Sequence, residues 1–252
     1  PNILLVLTDD VGFAASSTFG GPVPTPALDR LAANGLRYTR FHTTAMCTPT
    51  RASLLTGRNH HAVASGIVTD TASGYPGYNG AIPYSAATVA DVLSHNGYNT
   101  AFFGKHHNTP QGEDDPNTGP FKHWPTGLGF EYFYGFIGGD TNQWRPHLYR
   151  GTTPVAMPKM DTTLDHYLAQ DLIQWVHGQK ATAPDKPFLA YLAPGSAHAP
   201  HQAPPEWIAR FKGKFDQGWD KLREESLARQ KAAGIVPKNT VLTPRPQGIP
   251  AW

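Results

Sequence analysis

The sequence has little cysteine, little net charge and no long apolar run. Its single cysteine, Cys47, excludes any disulfide within the 252 residues. The 21 lysines and arginines nearly balance the 19 aspartates and glutamates, so a net charge of +2 gives no bulk attraction to nucleic acid or to a membrane surface. No apolar run approaches the ~20 residues that a membrane-spanning helix needs.

What the chain does contain is ordinary for a folded protein. An apolar fraction of 39% and an aromatic fraction of 11% are enough to build a buried core. The length suits one large domain or two small ones, taking ~150 residues per domain as a guide. No internal repeat is present.

Strand and helix patterns alternate along much of the chain. Helices are predicted after Thr25, after Ser85 as an N-cap, and after Thr162, where Asp165 three residues on would complete a capping box. Continuous apolar runs predict strands at residues 3–7, 100–103 and 187–192. Alternation of this kind predicts an α/β fold with a mainly parallel central sheet.

Two stretches depart from this alternation. Residues 108–161 are rich in Gly, Pro, Trp and Tyr without a steady period, which predicts loops carrying short elements. We expect these loops to shape a substrate pocket. Residues 206–233 form a charged stretch with a helical pattern, and residues 236–252 are rich in proline.

Polar clusters follow the three predicted strands. In open α/β sheets, ligands bind beyond the carboxyl ends of the strands, so we expect these clusters to converge. Cys47 would join them from the start of its own helix. The clusters are Asp9-Asp10, Lys105-His106-His107 and His198.

Two of these features have ordinary explanations when each is taken alone. The adjacent carboxylates of Asp9 and Asp10 suit Ca²⁺ or Mg²⁺, but such a pair also occurs in solvated turns. A lone cysteine is more often a small buried apolar residue than a nucleophile. Thr48 as a cap and Pro49 in the first turn predict a helix that starts beside Cys47, where free amide groups favour anions.

Three motifs together resemble the type I sulfatases. The run Cys47-Thr48-Pro49-Thr50-Arg51, followed by a short helical segment and Thr56-Gly57, resembles the family signature Cys-x-Pro-x-Arg. Gly104-Lys105-His106-His107 resembles Gly-Lys-Trp-His, with His106 in place of the tryptophan. His198-Ala199-Pro200 matches a His-x-Pro segment that follows a strand in the family. The resemblance covers essentially the whole chain and points to bacterial arylsulfatases.

The resemblance implies a fold, a modified residue and a metal. The fold would be the alkaline-phosphatase/sulfatase-like sandwich, a mostly parallel sheet flanked by helices, and residues 1–252 would be the N-terminal portion of one catalytic domain. Cys47 would be oxidised to formylglycine by a formylglycine-generating enzyme. Asp9, Asp10 and the modified residue 47 would hold calcium, with magnesium as a possible substitute.

The resemblance also implies roles for five residues in the hydrolysis of a small-molecule or glycan sulfate ester. The hydrated aldehyde at Cys47 would attack sulfur, and Arg51 would steady that hydrate. Lys105 would bind sulfate oxygens, and His107 would assist the release of sulfate. His198 would protonate the departing alcohol or contact the sulfate.

Members of the family also carry an Asp-Asn pair that completes the calcium site, and no such pair occurs in this sequence. We expect it beyond Trp252, and we expect the 252-residue chain to bind calcium poorly and to turn over slowly. Two other readings stay open. One is a phosphonate monoester or phosphodiester hydrolase that uses the same modified cysteine. The other is a non-catalytic binding domain in which Cys47 stays a thiol.

Overall fold

The computed structural model describes residues 1–159 and 161–252. These residues form two compact units. The sheet unit contains residues 1–10 and 43–203, and the helical unit contains residues 11–42 and 204–252. Within the described ranges, no helix combines the length and the apolar character needed to cross a membrane.

The secondary structure follows the predicted alternation. The strands of the described chain are β1 (Ile3–Val6), β2 (Asn99–Lys105), β3 (Tyr132–Phe136), β4 (Leu148–Arg150), β5 (Thr153–Val155) and β6 (Phe188–Ala193). The helices are α1 (Pro26–Ala33), α2 (Cys47–Thr56), α3 (Val89–His95), α4 (Leu164–Thr182), α5 (Pro205–Arg210) and α6 (Gly218–Ala232).

The sheet unit is built on one sheet in the order β1-β6-β2-β3-β4-β5. The first four strands in that order are parallel, and β4 and β5 join in antiparallel fashion at one edge. Neighbouring residues of β2 point to opposite faces because side chains alternate along a strand. Phe102 packs with Leu55 of α2 and Ala90 of α3, whereas Phe103 packs with Leu164 of α4. Helices therefore cover both faces, and the predicted α/β fold with a mostly parallel sheet is confirmed.

The start of α3 differs from the prediction. Thr88 is its N-cap: the Thr88 hydroxyl accepts a hydrogen bond from the Asp91 amide, and the Asp91 carboxylate accepts one from the Thr88 amide. The prediction of Ser85 as the cap is therefore wrong. Asp91 lies three residues after Thr88 and can return the capping bond, whereas Thr88 occupies that place relative to Ser85 and has no carboxylate.

The start of α4 also differs. Its N-cap is Thr163, which makes no side-chain capping bond, so the predicted capping box of Thr162 with Asp165 is wrong. The Asp165 carboxylate instead accepts hydrogen bonds from the backbone amides of Gly195 and Ser196, just after β6. Asp165 therefore accepts hydrogen bonds from a segment 30 residues further along the chain and makes no local capping bond.

Residues 108–161 contain more regular structure than the composition indicates. β3 pairs in parallel with β2 over five residues, and β4 and β5 extend the same sheet. The aromatic run of β3, Tyr132-Phe133-Tyr134-Gly135-Phe136, is suited to a strand, although Gly135 interrupts its pattern. Met160, within this stretch, lies outside the described residues. A pocket-forming role for this stretch stays a prediction.

The helical unit contains α1, α5 and α6. The side chains of Arg229 and Gln230 in α6 donate to the carbonyl groups of Gly20 and Phe19 at 2.9 and 3.1 Å. The helical stretch predicted over residues 206–233 contains two helices in the structure, α5 and α6. Gly213, between them, has a φ of 73°, a left-handed conformation that interrupts a helix and that glycine adopts readily.

Candidate active site

Three adjacent parallel strands place the polar clusters at one edge of the sheet. β1 and β2 lie on either side of β6. Asp9 follows β1, Lys105 is the last residue of β2, and His198 follows β6. The structure therefore brings together residues that are far apart in the sequence, and α2 adds Cys47 and Arg51 to the same place.

Asp9 is the centre of a buried ion-pair network. Lys105 Nζ lies 2.5 Å from Asp9 Oδ2, and Arg51 Nη2 lies 3.5 Å from Asp9 Oδ1. All three side chains are buried. Burial alone raises the pKa of Asp9, but the hydrogen bond from Lys105 and the charges of Lys105, Arg51 and His198 outweigh it and lower the pKa. Asp9 is therefore held as a carboxylate.

Cys47 is the first residue of α2, and its sulfur touches this network. Lys105 Nζ lies 3.3 Å from Cys47 Sγ, and Sγ lies 3.6 Å from Asp9 Oδ1. Met46 is the N-cap and makes no side-chain capping bond, so the predicted capping role of Thr48 is wrong. Thr48 Oγ1 instead donates to the carbonyl oxygen of His107 at 2.7 Å, which fixes the start of α2 to the end of β2.

The buried charges around residue 47 do not cancel. Lys105 and Arg51 each carry one positive charge, and among the described residues Asp9 carries the one buried negative charge paired with them. A buried charge is costly unless a partner of opposite sign lies near it. The excess positive charge at the N-terminus of α2 therefore favours an anion next to residue 47.

His198 lies on the segment 194–203 after β6, which we name the histidine loop. His198 Nδ1 donates to the carbonyl oxygen of Ala199 at 2.7 Å, because a carbonyl can only accept. Its Nε2 lies 3.9 Å from Asp10 Oδ2. Ligand-type atoms of Asp9, Cys47 and His198 lie within 4.8 Å of one another, so the histidine stands beside the cysteine.

The histidine loop is held by two elements of the sheet unit. The Asp165 carboxylate accepts from the amides of Gly195 at 2.8 Å and Ser196 at 3.1 Å. The next amide, that of Ala197, donates to the carbonyl oxygen of Asp9 at 2.9 Å. Consecutive amides of the loop are thus fixed to α4 and to Asp9, which lies just after β1.

His107 is buried beside an exposed carboxylate. His107 Nε2 lies 2.7 Å from Asp70 Oδ2, and the two side chains are 5% and 63% exposed. Burial lowers the pKa of His107, and the hydrogen bond to Asp70 only partly opposes that effect. The ring is therefore neutral near pH 7.

His106, the neighbour of His107, is part of the core. Its Nε2 donates to the carbonyl oxygen of His123 at 2.9 Å, and its ring packs edge-on against Phe102. Burial lowers the pKa of His106 to about 3. This side chain supports the site by packing and carries no charge near neutral pH.

Sequence reasoning missed two residues that contact the predicted site residues. Asp70 lies in a short 3₁₀ helix, Thr69–Thr71, in a segment without periodicity, so nothing in the sequence distinguishes it. Tyr191 lies in a predicted strand, and its hydroxyl is 3.5 Å from Arg51 Nη1. Burial raises the pKa of Tyr191, which keeps the hydroxyl protonated.

Comparisons with known proteins identify a family and a fold that this chain shares. The profile of the protein family described as Sulfatase matches residues 1–241. An arylsulfatase of Klebsiella aerogenes is 32% identical over 256 residues, which cover 96% of this chain and 52% of that protein. An uncharacterized sulfatase of Schizosaccharomyces pombe, PB10D8.02c, is 30% identical over 269 residues, covering 97% of this chain and 46% of that protein.

One solved structure extends the comparison to the fold. Ps i-CgsB, in complex with k-i-k-neocarrahexaose, matches with a TM-score of 0.68 and 25% identity. The match covers 93% of this chain and 53% of that one. The chain thus spans about half the length of the relatives that it matches.

Proposed function

We propose, because this chain belongs to the sulfatase family, that it forms part of an enzyme that hydrolyses sulfate esters to an alcohol and sulfate. One observation carries this proposal: the Lys105 ammonium lies 3.3 Å from the side chain of residue 47, and Arg51 supplies a second buried cation beside Asp9. A sulfate group next to residue 47 would meet the positive charge that the buried side chains leave uncompensated.

The second part of the proposal concerns Cys47 itself. We propose that a formylglycine-generating enzyme converts it to formylglycine. That group, when formed, supplies an aldehyde hydrate with one hydroxyl to attack sulfur and a second whose deprotonation lets sulfate leave. The position of residue 47 supports the role of the converted group, because its side chain touches both Lys105 and Asp9 at the start of α2.

The third part is a calcium ion, with magnesium as a possible substitute, held by Asp9, Asp10 and residue 47. Carboxylate oxygens suit either cation, whereas a thiol is a poor ligand for both. The donor set fits once residue 47 carries oxygen. Calcium takes ~6–8 oxygens, so these residues supply part of its coordination. When bound, the cation would stabilise negative charge on sulfate oxygens.

The chain's own residues then have distinct tasks. Lys105 and Arg51 offset charge on the sulfuryl oxygens, an interaction that strengthens as charge develops. His198 Nε2, after it takes a proton from solvent while Nδ1 keeps its bond to Ala199, gives that proton to the alcohol oxygen as the ester S–O bond breaks. His107 accepts a proton at residue 47 when sulfate leaves. Each cycle consumes one water and one ester and releases one alcohol and one hydrogen sulfate, which passes its proton to solvent.

The proposed substrate is a small-molecule or glycan sulfate ester. The structural relative Ps i-CgsB, solved in complex with k-i-k-neocarrahexaose, supports the glycan option. Aryl sulfates are the practical first probes, because release of a nitrophenol is measured directly.

The modification of residue 47 can be measured with two probes. A thiol-reactive probe, applied to the denatured protein from its native host, labels unconverted Cys47, which is the single cysteine of residues 1–252, and an aminooxy probe labels the aldehyde. Mass spectrometry of the peptide that contains residue 47 checks both. We expect an aldehyde at residue 47 and hydrolysis of 4-nitrophenyl sulfate in proportion to its content. The variant C47A should show neither.

The outcomes separate the candidate functions. Full activity with an intact thiol would refute formylglycine as the nucleophile. An aldehyde with faster hydrolysis of a phosphonate monoester than of an aryl sulfate would favour the phosphonate hydrolase. An intact thiol without hydrolysis of either ester would favour the binding domain.

The metal is tested separately. Removal of calcium by a chelator should lower sulfate-ester hydrolysis, and added calcium should restore it. D10N should need a higher calcium concentration for half-maximal activity, whereas D185N, which alters an exposed turn residue, should behave as the wild type. Unchanged activity after complete removal of divalent cations would contradict the proposal.

A further inference from the structure

The pair formed by Asp70 and His107 specifies where the proton of the imidazole lies. His107 Nε2 lies 2.7 Å from Asp70 Oδ2. An ionised carboxylate can only accept a hydrogen bond, so Nε2 must carry the hydrogen. The ring is buried, and burial favours its neutral form. In a neutral ring with hydrogen on Nε2, Nδ1 presents a lone pair.

His107 Nδ1 is a buried polar atom that has no hydrogen-bond partner among the described residues. Buried polar atoms of this kind are rare, because each one costs free energy, and each needs an explanation. An acceptor of this type is suited to take a hydrogen bond or a proton from a hydroxyl group.

The His107 ring is held in place by packing on one face and by hydrogen bonds of its own backbone. A Cβ added to Gly139 would lie 2.7 Å from His107 Cε1, so the ring packs directly on the Gly139 backbone. The His107 amide donates to the carbonyl oxygen of Ile137 at 3.0 Å, and its carbonyl oxygen accepts from Thr48 Oγ1 at 2.7 Å. These contacts fix the backbone and one face of the ring, but they leave the choice of tautomer to Asp70.

Asp70 is itself tied to the start of α2. The amide of Thr69, its neighbour, donates to Thr48 Oγ1 at 3.3 Å. One hydroxyl, that of Thr48, therefore connects the segment of Asp70 to the backbone of His107, and Thr48 directly follows Cys47. The carboxylate, the imidazole and residue 47 are thus linked by short hydrogen-bonded steps.

We propose that Asp70 is a positioning residue that holds His107 in the tautomer with hydrogen on Nε2 and so leaves the Nδ1 lone pair free to accept a proton. The hydrogen on Nε2 is placed by the 2.7 Å contact with Asp70, and the free Nδ1 agrees with the burial of the ring. Its effect on turnover rests on the proposed function, in which His107 accepts a proton when sulfate leaves.

The tautomer is measured without any reaction. In protein labelled with ¹⁵N-histidine, two-bond ¹H–¹⁵N correlation spectra distinguish protonated from unprotonated ring nitrogens, and the variant H107Q identifies the His107 signals. We expect protonated Nε2 and unprotonated Nδ1 in the wild type. In D70A the two tautomers should mix, and D70E should restore the wild-type pattern.

Turnover gives the second measurement. In the matured enzyme, D70A should lower kcat for an aryl sulfate about 10- to 100-fold, while KM changes less than about threefold. D70E should recover most of kcat. D70N serves as a second variant should D70A fold poorly, and D185N is the control for loss of an exposed carboxylate.

The two proposals fail in different ways. Hydrogen on Nδ1 in the wild type, or the same tautomer in D70A, overturns the positioning role of Asp70. Wild-type kcat in D70A also overturns it. A wild-type protein that carries the aldehyde and hydrolyses no sulfate ester, yet shows the tautomer shift in D70A, overturns the proposed function and supports the positioning of His107.

Discussion

The buried His106 should make the stability of the protein depend on pH. Its side chain is 1% exposed, and its Nδ1 has no hydrogen-bond partner in the described part of the chain. Burial lowers the pKa of His106 to about 3, and the charges of Arg51, His107 and His123 act in the same direction. In the unfolded chain the ring has the ordinary pKa of about 6.5.

The sign and the size of the effect follow from these two values. Between pH 6.5 and pH 3 the unfolded state binds a proton that the folded state excludes, so folding is destabilised as the pH falls below 6.5. The contribution of His106 is fully present only above its unfolded pKa. From pH 7 to pH 5 the expected loss is about 2 kcal/mol, because each pH unit below that pKa costs roughly 1.4 kcal/mol per proton.

The assay compares the wild type with H106F by urea unfolding at pH 7 and pH 5. The wild type should lose about 2 kcal/mol more unfolding free energy between these values than H106F does. Contributions of other titrating groups are common to both proteins and cancel in this difference. H177Q, which removes an exposed histidine of α4, should keep the wild-type loss. Equal losses in the wild type and H106F would refute the reasoning.

Three further substitutions test the contacts that support the site. D165N weakens the acceptor for the Gly195 and Ser196 amides and should displace His198, which lies on the same loop. The kcat of the matured enzyme should therefore fall about 10-fold. The control D185N should leave kcat unchanged. T88A removes the N-cap of α3 and a 2.7 Å hydrogen bond to the carbonyl oxygen of Leu128; it should lower the unfolding free energy by about 2 kcal/mol in a denaturant titration. G104A should prevent folding or cost more than ~4 kcal/mol, because φ is 110° and the new Cβ would lie 1.9 Å from the Ala193 carbonyl oxygen. The control G178A, at an open position on α4, should stabilise the protein by about 0.5–1 kcal/mol. Urea unfolding of both variants measures these changes, and equal unfolding free energies for the two would contradict the steric argument.

The strands that carry the site could be predicted because their sequences are continuous apolar runs. Residues 3–7 contain β1, and residues 187–192 overlap β6, since strands buried on both faces need apolar side chains throughout. The placement of Asp9, Lys105 and His198 then follows from the rule that parallel strands end at the same edge. Local pattern and sheet topology were sufficient for these residues.

Residues whose partners lie far away in the sequence could not be predicted in the same way. Asp165 satisfies the local pattern of a capping box, yet its carboxylate accepts from amides 30 and 31 residues further along. Asp70 contacts His107 across 37 residues and has no local pattern. Such contacts depend on how loops pack above the sheet, and a single sequence contains no periodicity that records it.

The position of β6 in the sheet sets a time limit during synthesis. β6 lies between β1 and β2 but is made last of the three, so the enclosure of residue 47 by Asp9, Lys105 and His198 awaits it. The end of β6, Ala193, lies 146 residues after Cys47, and synthesis of that length at ~5–20 residues per second takes on the order of 10 s. During that interval the segment around Cys47 is accessible to other proteins. An enzyme that oxidises Cys47 in an unfolded chain must act before the interval ends.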